Sequence, residues 1–364
     1  MASMLPLNTI KAPSLLGMVR VPTGNAGVNV VVLDRDSKKN QTQVPHALPL
    51  ERFRQALREA EEQGKLTLQV CESADEVDVS RGLPGGAWCA LAWMTNSSEA
   101  EKLLRKVPDI SWIHSSSAGV NHLLNDYVID HPVVMTNSKG AYSDSLGEWA
   151  IFCCMYFAKK VGRMVRSQQD RKWDYLVVEE IRGKRMVVVG YGDIGWHCGV
   201  RARAFGMSVI GVRRRPELSA DDGVADRVVG FDDLGAELAE ADYVVCALPL
   251  TPATDGLFSK RHFAALKPSC VFVNVGRGAT VDEEALEEVL RSEQIRGAGL
   301  DVFATEPLPS DHPFYGMENV LLSAHCADNT DNYNNMSLNN FLLELDRFNV
   351  GEKFQFLVDK KHGY

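Results

Sequence analysis

The chain has 364 residues, 45% of them hydrophobic and 24% charged, a composition that excludes wholesale disorder, and its length favours two domains because single cores stop growing near about 250–300 residues. The net charge of −9 argues against broad binding to a phosphate backbone, so no nucleic-acid partner is expected. The longest apolar stretches, such as Trp149–Ala158, fall short of the roughly 20 residues a membrane span needs, and no membrane association is expected.

The first 33 residues contain no Asp or Glu and only Lys11 and Arg20 as charges. Residues 1–27 read as an N-terminal extension of a cytoplasmic protein, and the scarcity of acids leaves an organelle-targeting segment open. The body begins at Val28–Leu33, an apolar run typical of a strand buried on both faces. Glu51–Gln63 has helical spacing, with Phe53, Leu57 and Ala60 on one side. Leu66–Val70 and Ala87–Met94 read as strands, Glu99–Lys106 as a helix, and Ile110–Ser115 and Pro132–Thr136 as strands. A long helix is expected over Ser143–Lys160, with Ser143 and Asp144 as its caps. From Arg185 the pattern restarts, with strands at Met186–Val189, Val209–Val212, Tyr243–Ala247, Val271–Asn274, Ala298–Asp301 and Val320–Ser323. Helices fit between most of them, notably Ile194–Phe205 and Asp282–Ser292. A closing helix at Asn332–Asn349 carries Met336, Leu338, Phe341, Leu342 and Leu345 at helical spacing and is expected to return to the first domain. Such alternation implies parallel β-α-β units. The eight cysteines form no C-x-x-C pair and read as reduced core residues, so no metal site is expected.

Met186–Val189 runs directly into Gly190-Tyr191-Gly192-Asp193-Ile194-Gly195, a strand, a G-x-G-x-x-G turn and a helix in sequence. Gly190 permits the tight turn, Gly192 lets the backbone approach a pyrophosphate, and Gly195 lets helix and strand pack closely. The backbone at Asp193 and Ile194 then offers free N–H groups at a helix N-terminus. The next strand ends in Arg213-Arg214-Arg215, where an NAD site would place an Asp or Glu. Arg213 and Arg214 suit a 2′-phosphate, so NADP(H) is preferred, with NAD(H) left open.

Three further segments end strands of the same half: Asn274-Val275-Gly276-Arg277-Gly278, Asp301-Val302-Phe303-Ala304-Thr305-Glu306-Pro307, and Ser323-Ala324-His325. Ligands of open parallel sheets bind outside the carboxyl ends of strands. Reduction of a ketone needs a proton donor beside the oxygen, and histidine titrates near neutrality. A carboxylate steadies its charged form, and an arginine can clamp a substrate carboxylate at two points. These demands fall on His325, Glu306 and Arg277.

With these segments, together with Ala241-Asp242 and Leu248-Pro249-Leu250-Thr251-Pro252-Ala253-Thr254, the chain resembles the D-isomer-specific 2-hydroxyacid dehydrogenases, a family that includes glyoxylate/hydroxypyruvate reductases. The resemblance runs from about Val28 to Asn349. It implies an α/β fold of two doubly wound parallel-sheet domains, a Rossmann-type cofactor domain at 141–324 inserted in a flavodoxin-like substrate domain at 28–140 and 325–364. It implies that Arg277 binds the substrate carboxylate and carbonyl, that Glu306 orients His325, and that His325 is the acid/base. It also implies cofactor contacts at Leu248, Pro249, Thr254, Val275 and Asp301, the last toward the nicotinamide amide, and a homodimer. Asp242 is placed near the adenine end. The loop Ser115-Ser116-Ser117-Ala118-Gly119 matches the family segment whose backbone N–H groups receive the substrate carboxylate, with Ala118 and Gly119 as the receivers. Trp93, Met94 and Trp173 could line a pocket, though core packing fits each better. Ala324 departs from the proline that commonly precedes the histidine. The activity implied is hydride transfer between NADP(H) and a small 2-ketoacid or 2-hydroxyacid, glyoxylate or hydroxypyruvate above others. The alternative is a dinucleotide-sensing interaction protein resembling the C-terminal-binding-protein corepressors.

Overall fold

The computed structural model describes residues 27–34, 48–93, 95–219 and 222–363; the expected extension, apart from Gly27, and Met94 lie outside them. In chain order the first elements are β1 (Val28–Asp34), α1 (Leu50–Glu62), β2 (Leu66–Cys71), β3 (Ala87–Trp93), α2 (Ser97–Lys106), β4 (Ile110–Ser115), α3 (Asp126–Asp130) and β5 (Val134–Asn137). There follow α4 (Ser143–Ala158), α5 (Val161–Gln169), β6 (Arg185–Val189), α6 (Asp193–Ala204), β7 (Ser208–Val212), β8 (Arg227–Val229), α7 (Leu234–Ala239) and β9 (Tyr243–Cys246). The last are α8 (Lys260–Ala264), β10 (Val271–Asn274), α9 (Glu283–Arg291), β11 (Gly297–Leu300), β12 (Val320–Leu322) and α10 (Tyr333–Val350). Side chains one turn ahead start several of the helices: Asn96 Oδ1 accepts from Glu99 N, Asn125 Oδ1 from Val128 N, and Asp282 Oδ1 from Ala285 N, each satisfying an amide the helix cannot.

These elements divide into two units, one formed by the chain up to Lys139 together with Asp331–His362, the other by Gly140–Thr330. The first holds a parallel five-stranded sheet in the order β2-β1-β3-β4-β5, the flavodoxin-like arrangement. The period of two along a strand sorts its core onto two faces. Val28, Val30 and Val32 pack with Phe53 and Leu57 of α1 and with Leu338, Phe341 and Leu345 of α10, while Val31 and Leu33 pack with Leu103 and Leu104 of α2. The second unit holds a parallel seven-stranded sheet in the order β12-β11-β10-β9-β6-β7-β8, a Rossmann-type arrangement with the order reversing at β6.

Several expectations need correction. The long helix breaks at Lys160, whose φ of 54° lies in the left-handed region, and α5 follows. Ser143 and Asp144 do not cap it: the helix begins without a side-chain cap, the Ser143 hydroxyl donates to Asp193 Oδ2, and Asp144 accepts from Arg201 and pairs with His197. The return to the first unit comes at Asp331 rather than at residue 325, because the His325 segment is tied to the end of β11: His325 N–H donates to Asp301 O, and Cys326 and Ala327 N–H to Asp301 Oδ1. Seven cysteines are buried, but Cys326 is exposed. Trp93 is buried, and Trp173 is 95% exposed, so Trp173 packs in no core of this chain.

Candidate active site

Backbone approaches too close for any side chain line up the carboxyl ends of the central strands of the second unit. Gly190, at φ 95°, follows β6, and a Cβ there would stand 2.6 Å from Ala247 O after β9. After β10, a Cβ on Gly276 would stand 2.6 Å from Leu248 O, and one on Gly278 would stand 1.8 Å from the Phe303 carbonyl carbon in the loop after β11. Only glycine fits such contacts. The glycine turn, the Leu248–Thr254 loop, the Arg277 turn and the Asp301–Glu306 loop are therefore adjacent along one edge of the sheet.

The glycine turn after β6 is packed unevenly. A Cβ on Gly195 would lie 2.5 Å from Gly190 O, whereas one on Gly192 would meet nothing within 4 Å, so the helix start is tight underneath and open above. Gly192 caps α6 without a side-chain bond, which leaves the first-turn amides of Asp193 and Ile194 as an anion seat. At the end of β7, half-buried Arg213 donates from Nη1 to the Ser219 hydroxyl, and Arg214 is exposed. The Leu248–Thr254 loop closes on itself: Thr254 Oγ1 donates to Pro249 O at 2.6 Å and accepts from Thr251 N at 2.8 Å. Val275 is buried and its N–H donates to Cys246 O. Burial pushes the Cys246 thiol up to about 11, which makes it inert packing at neutral pH.

Arg277 stands three residues past β10. Its carbonyl accepts from Asn274 Nδ2 and Thr280 Oγ1, and its Nη1 donates to Gly276 O at 2.7 Å. Beyond β11, Glu306 Oε1 accepts from Phe303 N at 2.9 Å, and Oε2 lies 2.7 Å from His325 Nδ1, three residues past β12. This arrangement turns one carboxylate oxygen to its own loop and the other to the ring, so Nδ1 carries a proton and Nε2 remains for transfer. The pair is part-open, with side-chain exposures of 40% for His325 and 35% for Glu306. His325 holds φ 50°, a left-handed conformation that costs a non-glycine residue about 1–3 kcal/mol and persists only where neighbours over-determine it. Asp301 does so, since its buried carboxylate binds Ser323 Oγ, Cys326 N and Ala327 N through Oδ1. Asp301 Oδ1 thus staples the His325 loop to the end of β11. Asp242 lies away from any adenine end, because it precedes β9 and binds Arg185 N at the amino edge of the sheet.

In the first unit, the Ser115–Gly119 loop leaves the end of β4. Asn137 Nδ2 donates to Ala118 O at 2.6 Å, whereas the Ala118 and Gly119 N–H groups donate to nothing among the described residues. Asn137, Asn274 and Ser323 are structural partners that the motifs did not single out. Asn274 was detectable as an amide residue opening a turn, since its Oδ1 accepts Gly276 N; the other two act on loops distant in sequence.

Comparison with known proteins agrees with this geometry. Residues 151–327 match the model of the D-isomer specific 2-hydroxyacid dehydrogenase NAD binding domain. The chain is 32% identical over 253 residues to glyoxylate/hydroxypyruvate reductase B of Enterobacter sp. (strain 638), covering 67% of this chain and 77% of that protein. It is 28% identical over 273 residues to D-3-phosphoglycerate dehydrogenase of Methanocaldococcus jannaschii, covering 72% of this chain but only 52% of that one. Among solved structures, the NADPH-dependent glyoxylate/hydroxypyruvate reductase of Sinorhizobium meliloti, in complex with NADP and sulfate, superposes with a TM-score of 0.70 at 26% identity, over 93% of this chain and 100% of that one. With two parallel sheets in the right strand orders, a glycine turn fit for a dinucleotide and a relative matched over three quarters of its length, the chain belongs to the D-isomer-specific 2-hydroxyacid dehydrogenase family.

Proposed function

We propose that the protein is an NADP(H)-preferring reductase of small 2-ketoacids, with glyoxylate or hydroxypyruvate as substrate. The Glu306–His325 pair at 2.7 Å, beside the Arg277 turn, is the observation that carries this reading. NADPH held at the glycine turn would supply a hydride for the carbonyl carbon. His325 delivers a proton from Nε2 to the carbonyl oxygen, which balances the reduction to a 2-hydroxyacid. Glu306 holds the ring through Nδ1 and fixes its orientation. Arg277 grips the substrate carboxylate and draws charge from the carbonyl. In the first unit, the Ala118 and Gly119 N–H groups are the carboxylate receivers. Arg213 and Arg214 after β7 support the 2′-phosphate over the bare ribose, since guanidinium groups supply both charge and paired donors there. The likeness to a reductase solved with NADP supports the same choice.

The decisive experiment is a set of initial rates with NADPH and NADH across small 2-ketoacids. The reading expects kcat/KM for glyoxylate or hydroxypyruvate with NADPH to exceed every NADH value. A protein that reduces no 2-ketoacid with either cofactor would overturn it.

We further infer a homodimer joined through the second unit. Trp173, Tyr175 and Val177 are 95%, 92% and 78% exposed, and Phe152, Met164 and Val165 of α4 and α5 are also exposed. Large exposed apolar groups of this kind mark interaction surfaces. Sedimentation should show a dimer of the parent chain and a monomer of the Trp173→Asp/Tyr175→Asp variant.

A further inference from the structure

Four consecutive carbonyls, from the last residue of β4 into the loop that follows, accept hydrogen bonds. Ser138 Oγ donates to Ser115 O at 3.1 Å, Ser337 Oγ of α10 to Ser116 O at 2.6 Å, Ser138 N to Ser117 O at 3.3 Å, and Asn137 Nδ2 to Ala118 O at 2.6 Å. A trans peptide is planar, with its N–H opposed to its C=O. Holding Ser117 O and Ala118 O therefore turns the N–H groups of Ala118 and Gly119 the other way, and neither amide donates to an acceptor among the described residues.

The holders are themselves fixed by a buried chain of donors. Trp112 Nε1 donates to Thr136 Oγ1 at 2.8 Å, Thr136 Oγ1 lies 2.7 Å from His114 Nδ1, His114 Nε2 lies 3.1 Å from Ser138 Oγ, and Ser138 Oγ lies 2.9 Å from Ser337 Oγ. Trp112, His114, Thr136, Ser138 and Ser337 are all fully buried. Each hydroxyl has a single hydrogen, and an indole nitrogen can only donate. The hydrogens then run in one direction: Trp112 to Thr136, Thr136 to His114 Nδ1, His114 Nε2 to Ser138, and Ser138 to Ser115 O, with Ser337 donating to Ser116 O. This order requires a neutral His114 with its proton on Nε2, and burial favours the neutral ring. Such satisfied networks rigidify what they touch.

We infer that Asn137 and Ser337, backed by Ser138 and His114, are positioning residues that aim the Ala118 and Gly119 amides at a substrate carboxylate. This inference rests on the reading of that loop as the carboxylate receiver. It assigns a role in substrate binding to a helix residue 221 positions downstream of the loop it serves.

The test uses the full chain with NADPH, glyoxylate and the carboxylate inhibitor oxamate. Asn137→Ala should raise KM for glyoxylate and Ki for oxamate together by about tenfold, and Ser337→Ala by about threefold to tenfold, with kcat within about twofold and NADPH affinity unchanged. Ser337→Thr keeps the hydroxyl and should return both constants to within about twofold of the parent. A purely structural role would lower the melting temperature while leaving KM and Ki where they were. Gly119→Pro, which deletes one receiving amide, separates the two layers of the argument. If it raises KM and Ki while Asn137→Ala and Ser337→Ala do not, the positioning role is overturned and the receiver stands. If all three leave both constants unchanged, the receiver itself is wrong.

Discussion

At the strand ends of the second unit, backbone turns are pressed together through Gly190, Gly276 and Gly278, and side chains project beyond them: Arg277, Glu306 and His325 all lie three to six residues past the ends of β10, β11 and β12. The first unit is built the other way round. There the polar side chains near the strand ends, His114, Asn137 and Ser138, together with Ser337 of α10, are buried, and what they leave available is backbone, the amides of Ala118 and Gly119. Proton transfer needs a titratable group that can meet substrate, so chemistry sits with projecting side chains. Recognition of a carboxylate needs only aimed donors, which main-chain amides supply once their peptides are fixed.

The largest expected effect is at His325. His325→Ala should cut kcat by roughly 10²–10⁴-fold while NADPH binding is kept. Combining it with Glu306→Gln should add little, because the carboxylate acts only through the ring. Glu306→Gln alone should lower kcat/KM for ketoacid, since the ring loses the carboxylate that holds its Nδ1. Multiplying losses would show that the pair does not work as a unit.

Arg277→Lys keeps the charge and loses the planar grip. Both kcat/KM for ketoacid and oxamate affinity should fall by more than about tenfold, as for a lost charge-assisted contact of about 1.5–3 kcal/mol. Oxamate binding at the parent strength would remove Arg277 from carboxylate recognition and leave it to the first unit.

Exchanging Arg213 and Arg214 for uncharged residues should raise KM for NADPH more than about tenfold and change NADH kinetics little. Equal losses with both cofactors would mean that these side chains serve the fold of the β7 end and not a 2′-phosphate.

The smallest effect is one of stability, and it belongs to the first unit. Burial lowers the His114 pKa from 6.5 to about 3, so the folded ring stays neutral where the unfolded chain takes up a proton. The contribution is complete above about pH 6.5 and is lost as pH falls toward 3, at up to about 1.4 kcal/mol per pH unit. Urea midpoints of the parent and of His114→Gln should therefore converge as the pH is lowered from 7 to 5. A difference that stays constant over that range would place the proton elsewhere.

Much of this architecture is legible in the sequence. Local signals were strong wherever a strand ran straight into its functional turn, as at Met186–Gly195 and Val271–Gly278, because hydrophobic period and glycine spacing act over a few residues. The short α7 and α8 and the three-residue β8 were not anticipated, since five or six residues give too little periodicity to detect. Asp301 was recognised as important but its bonds were not, as they join residues 22 to 26 positions apart.

The alternation of strands with helices, the dinucleotide turn, the arginines after β7 and the ordered Arg277, Glu306 and His325 were determined by the sequence itself, because each is a pattern of neighbours or a residue type at a strand end. Tertiary structure alone decided which way the Ala118 and Gly119 amides face, why His325 tolerates a left-handed backbone, and that α10 packs on the β1 sheet beside Trp112. Those outcomes depend on bonds such as Ser337 to Ser116 and His114 to Ser138. Their geometry exists only after chain segments far apart in sequence have been brought together and their polar groups, shut away from water, have had to find one another.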